Sequence, residues 1–177
     1  MKFSLSVLGV LVLAGIGALI VAGGPVVAKD PQTLTAVPER PPAPDFNLKD
    51  PDGNPVRLAD FQGKPLIINF WATWCPPCRE EMPSMQRAHE ILSGEGIGLI
   101  AINVGEDGET VARFAETTQV TFPLPMDEAS SVVTGYPVRG LPTTFVVDAQ
   151  GRLAYVATGE REWDNQALLD LVRGLMN

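Results

Sequence analysis

The sequence predicts an α/β domain: a central mixed β-sheet flanked by helices, with an N-terminal β-hairpin extension, carried behind an N-terminal membrane anchor. Three observations carry that expectation. From Leu66 onward, apolar runs rich in β-formers alternate with helix-compatible stretches, and strand–helix–strand order followed by a hairpin and a last helix builds a mixed sheet. The chain has 177 residues, which suits one domain plus an appendage. Residues 3–24 are apolar apart from two serines, and a spanning helix needs about 20 such residues.

The elements follow in order. Residues 1–28 form the expected signal anchor. Lys2 is the only charge before the run, so the positive-inside tendency puts the amino terminus in the cytoplasm and the body outside. The length favours an anchor over a cleaved signal peptide, whose apolar core spans roughly 7–15 residues, although Ala28 ends Val26-Val27-Ala28 with a small residue of the kind cleavage requires. Residues 29–44 carry five prolines and read as a semi-rigid linker. The domain then spans 45–177. Phe46–Leu48 and Val56–Leu58 flank Asp50-Pro51-Asp52-Gly53, a hairpin signal. Leu66–Trp71 (LIINFW) reads as a buried strand. Pro76–Leu92 reads as a helix with Met82, Met85, Ala88 and Leu92 on one side. Ile97–Val104 is a second buried strand, Glu109–Thr118 a helix, Thr143–Val147 and Leu153–Val156 two further strands, and Trp163–Met176 a closing helix.

Composition removes several function classes. Asp and Glu total 21 against 13 Lys and Arg, and no basic patch of the kind nucleic-acid binding needs is visible. There are two cysteines, Cys75 and Cys78. A disulfide-built secreted scaffold carries four or more, and closing so short a loop stabilises a chain little. Zinc takes four ligands, and beyond this pair the chain offers one histidine, His89. Redox chemistry is the reading that remains.

That chemistry needs a thiolate. Cys75 falls at a strand-to-helix junction, where the helix dipole and the unpaired N–H groups of the first turn favour negative charge. A second thiol three residues on can resolve a mixed disulfide. Pro76 and Pro77 suit the first helical positions but remove two donors. Cys75 is expected to be exposed and Cys78 to face inward. Trp74 is expected on the partner-facing surface. Glu80 reads as a first-turn acid complementing the helix dipole. For Glu81 that reading competes with a proton-handling one, on the rim of the site. His89 reads as a packed or surface residue.

The segment FWATWCPPCREEMP resembles the thioredoxin superfamily, and within it the exported TlpA/ResA-like disulfide reductases, related to CcmG (DsbE) of cytochrome c biogenesis. The resemblance spans roughly Asp45 to Asn177. It rests on Trp74-Cys75-Pro76-Pro77-Cys78, on Pro83, and on Gly140-Leu141-Pro142-Thr143-Thr144-Phe145. It implies a thioredoxin-like fold, Pro142 as a cis-proline beside the reactive cysteine, and a substrate-binding surface of Trp74, Pro76, Pro77, Leu141 and Pro142. It implies Cys75, Cys78, Glu81 and Pro142 as the catalytic set, with Glu81 in the pattern CRxExP. Two departures matter. Asn69 stands where thioredoxin carries a buried aspartate, and Thr143 stands where CcmG proteins carry glutamate, which favours the TlpA/ResA side.

What the resemblance implies for function is two-electron dithiol–disulfide exchange by a single-pass protein of the bacterial inner membrane, facing the periplasm. Clients would be exported proteins with paired cysteines: apocytochromes c or copper-assembly proteins of cytochrome oxidase. Electrons would come from a membrane thiol transporter of CcdA/DsbD type. No metal, nucleotide or flavin cofactor is implied beyond the Cys75–Cys78 pair. Two alternatives fit less well. A peroxiredoxin-like peroxidase uses Pro-x-x-x-Thr/Ser-x-x-Cys, whereas Thr73 lies two residues before Cys75 with no matching proline. A Sco-type copper chaperone uses Cys-x-x-x-Cys and a later histidine, whereas this spacing is one shorter and no histidine follows His89.

Overall fold

The computed structural model describes residues 33–176. The expected anchor over 3–24 lies outside them. Among the described residues no helix is long and apolar enough to cross a membrane.

The strands are β1 (Thr35–Ala36), β2 (Asn47–Lys49), β3 (Pro55–Arg57), β4 (Leu66–Trp71), β5 (Gly98–Val104), β6 (Met126–Asp127), β7 (Thr143–Val147) and β8 (Leu153–Thr158). The helices are α1 (Pro76–Ser93), α2 (Gly108–Thr118) and α3 (Gln166–Arg173). One mixed sheet runs in the order β1-β8-β7-β4-β5-β6-β2-β3. β4 and β5 are parallel, with α1 as their crossover. β7 and β8 form the antiparallel side. β2 and β3 pair antiparallel around the Asp50–Gly53 turn, where Gly53 takes φ +84°, a region glycine enters at no steric cost.

β4 is apolar throughout because both its faces are covered. Ile67 and Trp71 pack with Met82, Met85 and Leu92 of α1 and with Leu168, Leu169 and Val172 of α3. Leu66, Ile68 and Phe70 point the other way, against Phe46, Tyr136 and Phe145. The two-residue period of a strand puts Asn69 in phase with Ile67 and Trp71. The one polar side chain of β4 is therefore aimed at α1, and it is fully buried.

Two boundaries differ from the sequence reading. Within the proline-rich stretch, Thr35 and Ala36 pair with Val156 and Tyr155, Pro42 bridges to Arg152, and Ala43 is buried. From residue 33 on, that stretch lies on the domain instead of holding it at a distance. The last helix also starts later than expected, at Gln166, because Asn165 caps it by accepting from Ala167 N–H at 2.9 Å. Trp163 stays outside the helix and is buried.

Candidate active site

Cys75 is the N-cap residue of α1, and Pro76 and Pro77 occupy the first two helical positions. Neither proline has an N–H, so among the first three helical positions only Cys78 brings a main-chain donor. Cys75 and Cys78 are joined by a disulfide, with their Cα atoms 5.3 Å apart. Cys75 is 4% exposed and Cys78 fully buried. The expected order of exposure holds, but Cys75 is far more enclosed than a helix start suggests, because it sits in the α1-side core. Beside it Trp74 is 66% exposed. Pro76 is exposed and Pro77 half-buried.

The register places the second wall. Phe70 pairs with Thr143, so Pro142 lies alongside the end of β4, next to the loop that carries Cys75. The Leu141–Pro142 peptide is cis. Pro142 is buried and Leu141 half-buried. Thr143 Oγ1 donates to the Gly140 carbonyl at 2.7 Å, and Gly159 N–H donates to the Pro142 carbonyl at 2.9 Å.

The loop ahead of Cys75 is held by a residue the sequence reading passed over. The Glu106 carboxylate accepts from Thr73 N–H at 2.7 Å, from the Thr73 hydroxyl, and from Asn103 Nδ2 at 2.7 Å. No motif marks Glu106; it is recognised only because β5 ends beside the Thr73 turn.

Glu81 overturns its expected place on the rim. It is 2% exposed. Its Oε1 accepts from Asn69 Nδ2 at 2.8 Å, and its Oε2 accepts from Trp163 Nε1 at 3.0 Å and Arg161 N–H at 3.1 Å. Burial pushes its pKa up to about 7. The bonds from Trp163, Asn69 and Arg161, and the Arg161 charge, pull the other way without cancelling that rise. Glu81 and Cys78 are both on the buried side of α1, with a spacing of three that puts them on one face. Asn69 Nδ2 also donates to Thr144 Oγ1 at 2.9 Å, while its Oδ1 is buried with no partner. Glu80, expected as a first-turn acid, is exposed and lies past the first turn, which holds no acidic residue.

His89 is half-buried, with its ring 6.0 Å from that of Phe122 and its Nδ1 buried and unpartnered. Burial lowers its pKa. It lies in the second half of α1, away from the cysteines.

The AhpC/TSA family profile matches residues 40–156. Over 125 residues the chain is 43% identical to the thiol-disulfide oxidoreductase ResA of Geobacillus thermodenitrificans, covering 71% of this chain and 72% of that one. Against ResA of Bacillus subtilis the identity is 37% over 124 residues, 70% and 69% of the two chains. Among solved structures, a putative thiol:disulfide interchange protein DsbE from Chlorobium tepidum superposes with a TM-score of 0.72 at 28% identity, covering 82% of this chain and all of that one. A secreted thiol-disulfide isomerase from Corynebacterium glutamicum gives 0.67 at 28% identity, covering 83% and 93%.

Proposed function

Because the chain belongs to the AhpC/TSA family of thioredoxin-like proteins and is a thiol–disulfide oxidoreductase alongside its ResA relatives, we propose that it acts as a membrane-anchored, periplasm-facing reductase of disulfides in exported client proteins. The observation that carries the exchange chemistry is the Cys75–Cys78 disulfide at the start of α1 with the buried Glu81 carboxylate one turn behind it, where burial raises the pKa to about 7.

The steps follow from these positions. In the reduced protein the Cys75 thiolate attacks a client disulfide; one client sulfur leaves as thiolate and takes a proton from water. A mixed disulfide joins Cys75 to the other client sulfur. The Cys78 thiol passes its proton to the Glu81 carboxylate, directly or through a water, and the Cys78 thiolate attacks the Cys75 sulfur. The second client thiolate departs. The client has gained two electrons, and the protein is left as the Cys75–Cys78 disulfide. Trp74, Pro76, Pro77, Leu141 and Pro142 form the surface against which the client lies. Nothing beyond the dithiol is needed as cofactor. The electrons that reset it come from a membrane thiol donor of CcdA/DsbD type, and the clients are apocytochromes c or copper-assembly proteins.

The deciding measurement is the reduction potential, by equilibration with glutathione or dithiothreitol. Because about 30 mV corresponds to about 1.4 kcal/mol for this couple, the direction is read sharply. A strongly reducing potential is expected; one near that of a strong disulfide donor would reverse the assigned direction. Cell fractionation checks the anchor: the protein should stay with the membrane through salt washing, and a soluble mature form starting at Lys29 would instead mean a cleaved signal.

A further inference from the structure

We infer that Arg161 is a positioning residue for Glu81: its guanidinium folds the loop between β8 and α3 into the shape that aims main-chain and indole donors at the carboxylate. This rests on the reading of Glu81 as the proton acceptor. Arg161 is 8% exposed, an unusual degree of burial for an arginine. Its Nη1 donates back to three successive carbonyls of its own loop, Thr158 at 3.3 Å, Gly159 at 3.2 Å and Glu160 at 2.7 Å. Its Nε donates to the Thr33 carbonyl at 3.3 Å, fastening the incoming N-terminal segment to the same loop. Curled this way, the loop presents Arg161 N–H and Trp163 Nε1 together to Glu81 Oε2. Ser84 of α1 pins it further: its hydroxyl lies 3.1 Å from the Arg161 carbonyl and accepts from Trp163 N–H at 3.1 Å. Gly159, inside the curl, donates to the Pro142 carbonyl. One buried guanidinium thus shapes the loop that touches both the proton acceptor and the cis-proline wall.

The groups facing Glu81 are Asn69 from β4, Arg161 and Trp163 from this loop, and, on its own helix, Cys78, whose thiol titrates once the disulfide is reduced. Arg161 carries the charge among them. Losing it removes a favourable interaction with the ionised carboxylate and loosens one of its three donors, so the carboxylate should ionise at higher pH.

The test uses the full-length protein and four variants: Glu81→Gln, Arg161→Met, Arg161→Lys and the Glu81→Gln/Arg161→Met double. The readouts are the pH profile of mixed-disulfide resolution and the pH titration of tryptophan fluorescence, which reports Glu81 through the Trp163 bond. In Arg161→Met the midpoint of both should rise by on the order of half a pH unit. Arg161→Lys should restore it towards the wild-type value. The double variant should match Glu81→Gln alone. An unshifted or lowered midpoint in Arg161→Met overturns the inference. If Arg161→Met does not fold, the double variant is set aside and Arg161→Lys decides: a slower resolution step at an unchanged midpoint supports positioning by the fork, and wild-type rates overturn it. Failure of the parent reading looks different, since Glu81→Gln would then remove the fluorescence titration but leave the resolution profile unchanged.

Discussion

Two buried carboxylates sit at opposite ends of the central strands, and they behave in opposite ways. Asp148 follows the end of β7, at the pole where β4 begins; its side chain is 1% exposed. Glu81, at the pole where β4 ends, is equally closed to solvent contact but lies much deeper in the protein. Asp148 accepts from Gln150 N–H and Arg152 N–H, both at 3.0 Å, and from the Arg152 guanidinium at 2.8 Å, with Arg40 at 3.6 Å. Burial pushes its pKa up, but the Arg152 and backbone bonds outweigh it, and the net shift is downward. Glu81 receives an amide, an indole and one backbone N–H, all neutral, and burial wins. Lack of solvent contact therefore does not by itself decide whether a carboxylate is inert; depth below the surface and the charge of the partners do. Solvent-reaching guanidinium partners make Asp148 a fixed charge that closes a turn. Neutral partners leave Glu81 with a pKa near the operating pH, where a group can both take and return a proton.

The largest effect that would break this contrast lies in the cysteines. If the Glu81 pole carries the chemistry, Cys75→Ser should abolish disulfide exchange, and Cys78→Ser should accumulate mixed disulfides with clients, visible on non-reducing gels. Equal trapping by both variants would undo the assignment of Cys75 as the attacking sulfur.

The pH dependence of stability sharpens the comparison, because the two carboxylates contribute with opposite sign. The folded protein keeps the Glu81 proton up to about pH 7, whereas the unfolded chain releases it near the ordinary value of 4.5. The folded state then binds more protons across that window, so stability should fall as pH rises from about 4.5 to about 7 and flatten above. The fall is worth up to about 3 kcal/mol. Glu81→Gln should abolish it. The variant can keep its bonds: a Gln oxygen still accepts from Trp163 and Arg161, and its amide can donate to Asn69 Oδ1 once that side chain turns over. The same variant should slow resolution near neutral pH, with the deficit closing at high pH where hydroxide replaces the acceptor. Urea unfolding from pH 4 to 9 settles the first point; a wild-type curve flat through that window would remove Glu81 as a perturbed group.

Asp148→Asn should cost less and do so elsewhere. Asp148 titrates below its ordinary 3.8, so its contribution is complete above that value and is lost only as pH falls through the lower folded value. Losing the charge-assisted bonds should destabilise the domain by about 2 kcal/mol at neutral pH, while exchange rates stay at the wild-type level. A drop in exchange at matched stability would mean that the two poles are coupled.

How much of this was legible in the sequence divides along the same line. β4, β5 and α1 announce themselves through continuous apolar runs and a helical stripe, and the cysteines through their spacing. β1 did not, because a two-residue edge strand has no period to read. Glu81 was readable in part: it falls between Cys78 and Met82, Met85 on the buried stripe of α1, which argues against a rim position. What makes it a buried, perturbed carboxylate was not readable, since Arg161 and Trp163 come from 80 and 82 positions away. Trp163 was misplaced in the last helix although Asn165, an ordinary N-cap residue, marks the start.

Trp163 supplies the finest cut, because it tests whether neutral donors tune Glu81 at all. The indole is buried, and its N–H is 3.0 Å from Glu81 Oε2. Trp163→Phe removes that donor and some packing volume. The packing loss, on the order of 1–2 kcal/mol, is the same at every pH, because no charge is involved. The lost hydrogen bond is different. It favours the ionised carboxylate, so its absence is felt only where Glu81 is ionised in the parent protein, above about pH 7. The destabilisation by Trp163→Phe should therefore be larger at pH 8.5 than at pH 5, by about 1 kcal/mol, and the midpoint of the resolution profile should move up. Asp148 offers the control, for its guanidinium partners lie at the other pole and its own titration is complete well below this range. Equal destabilisation at the two pH values would show that the indole only fills space. The contrast between the two carboxylates would then rest on Asn69 and Arg161 alone.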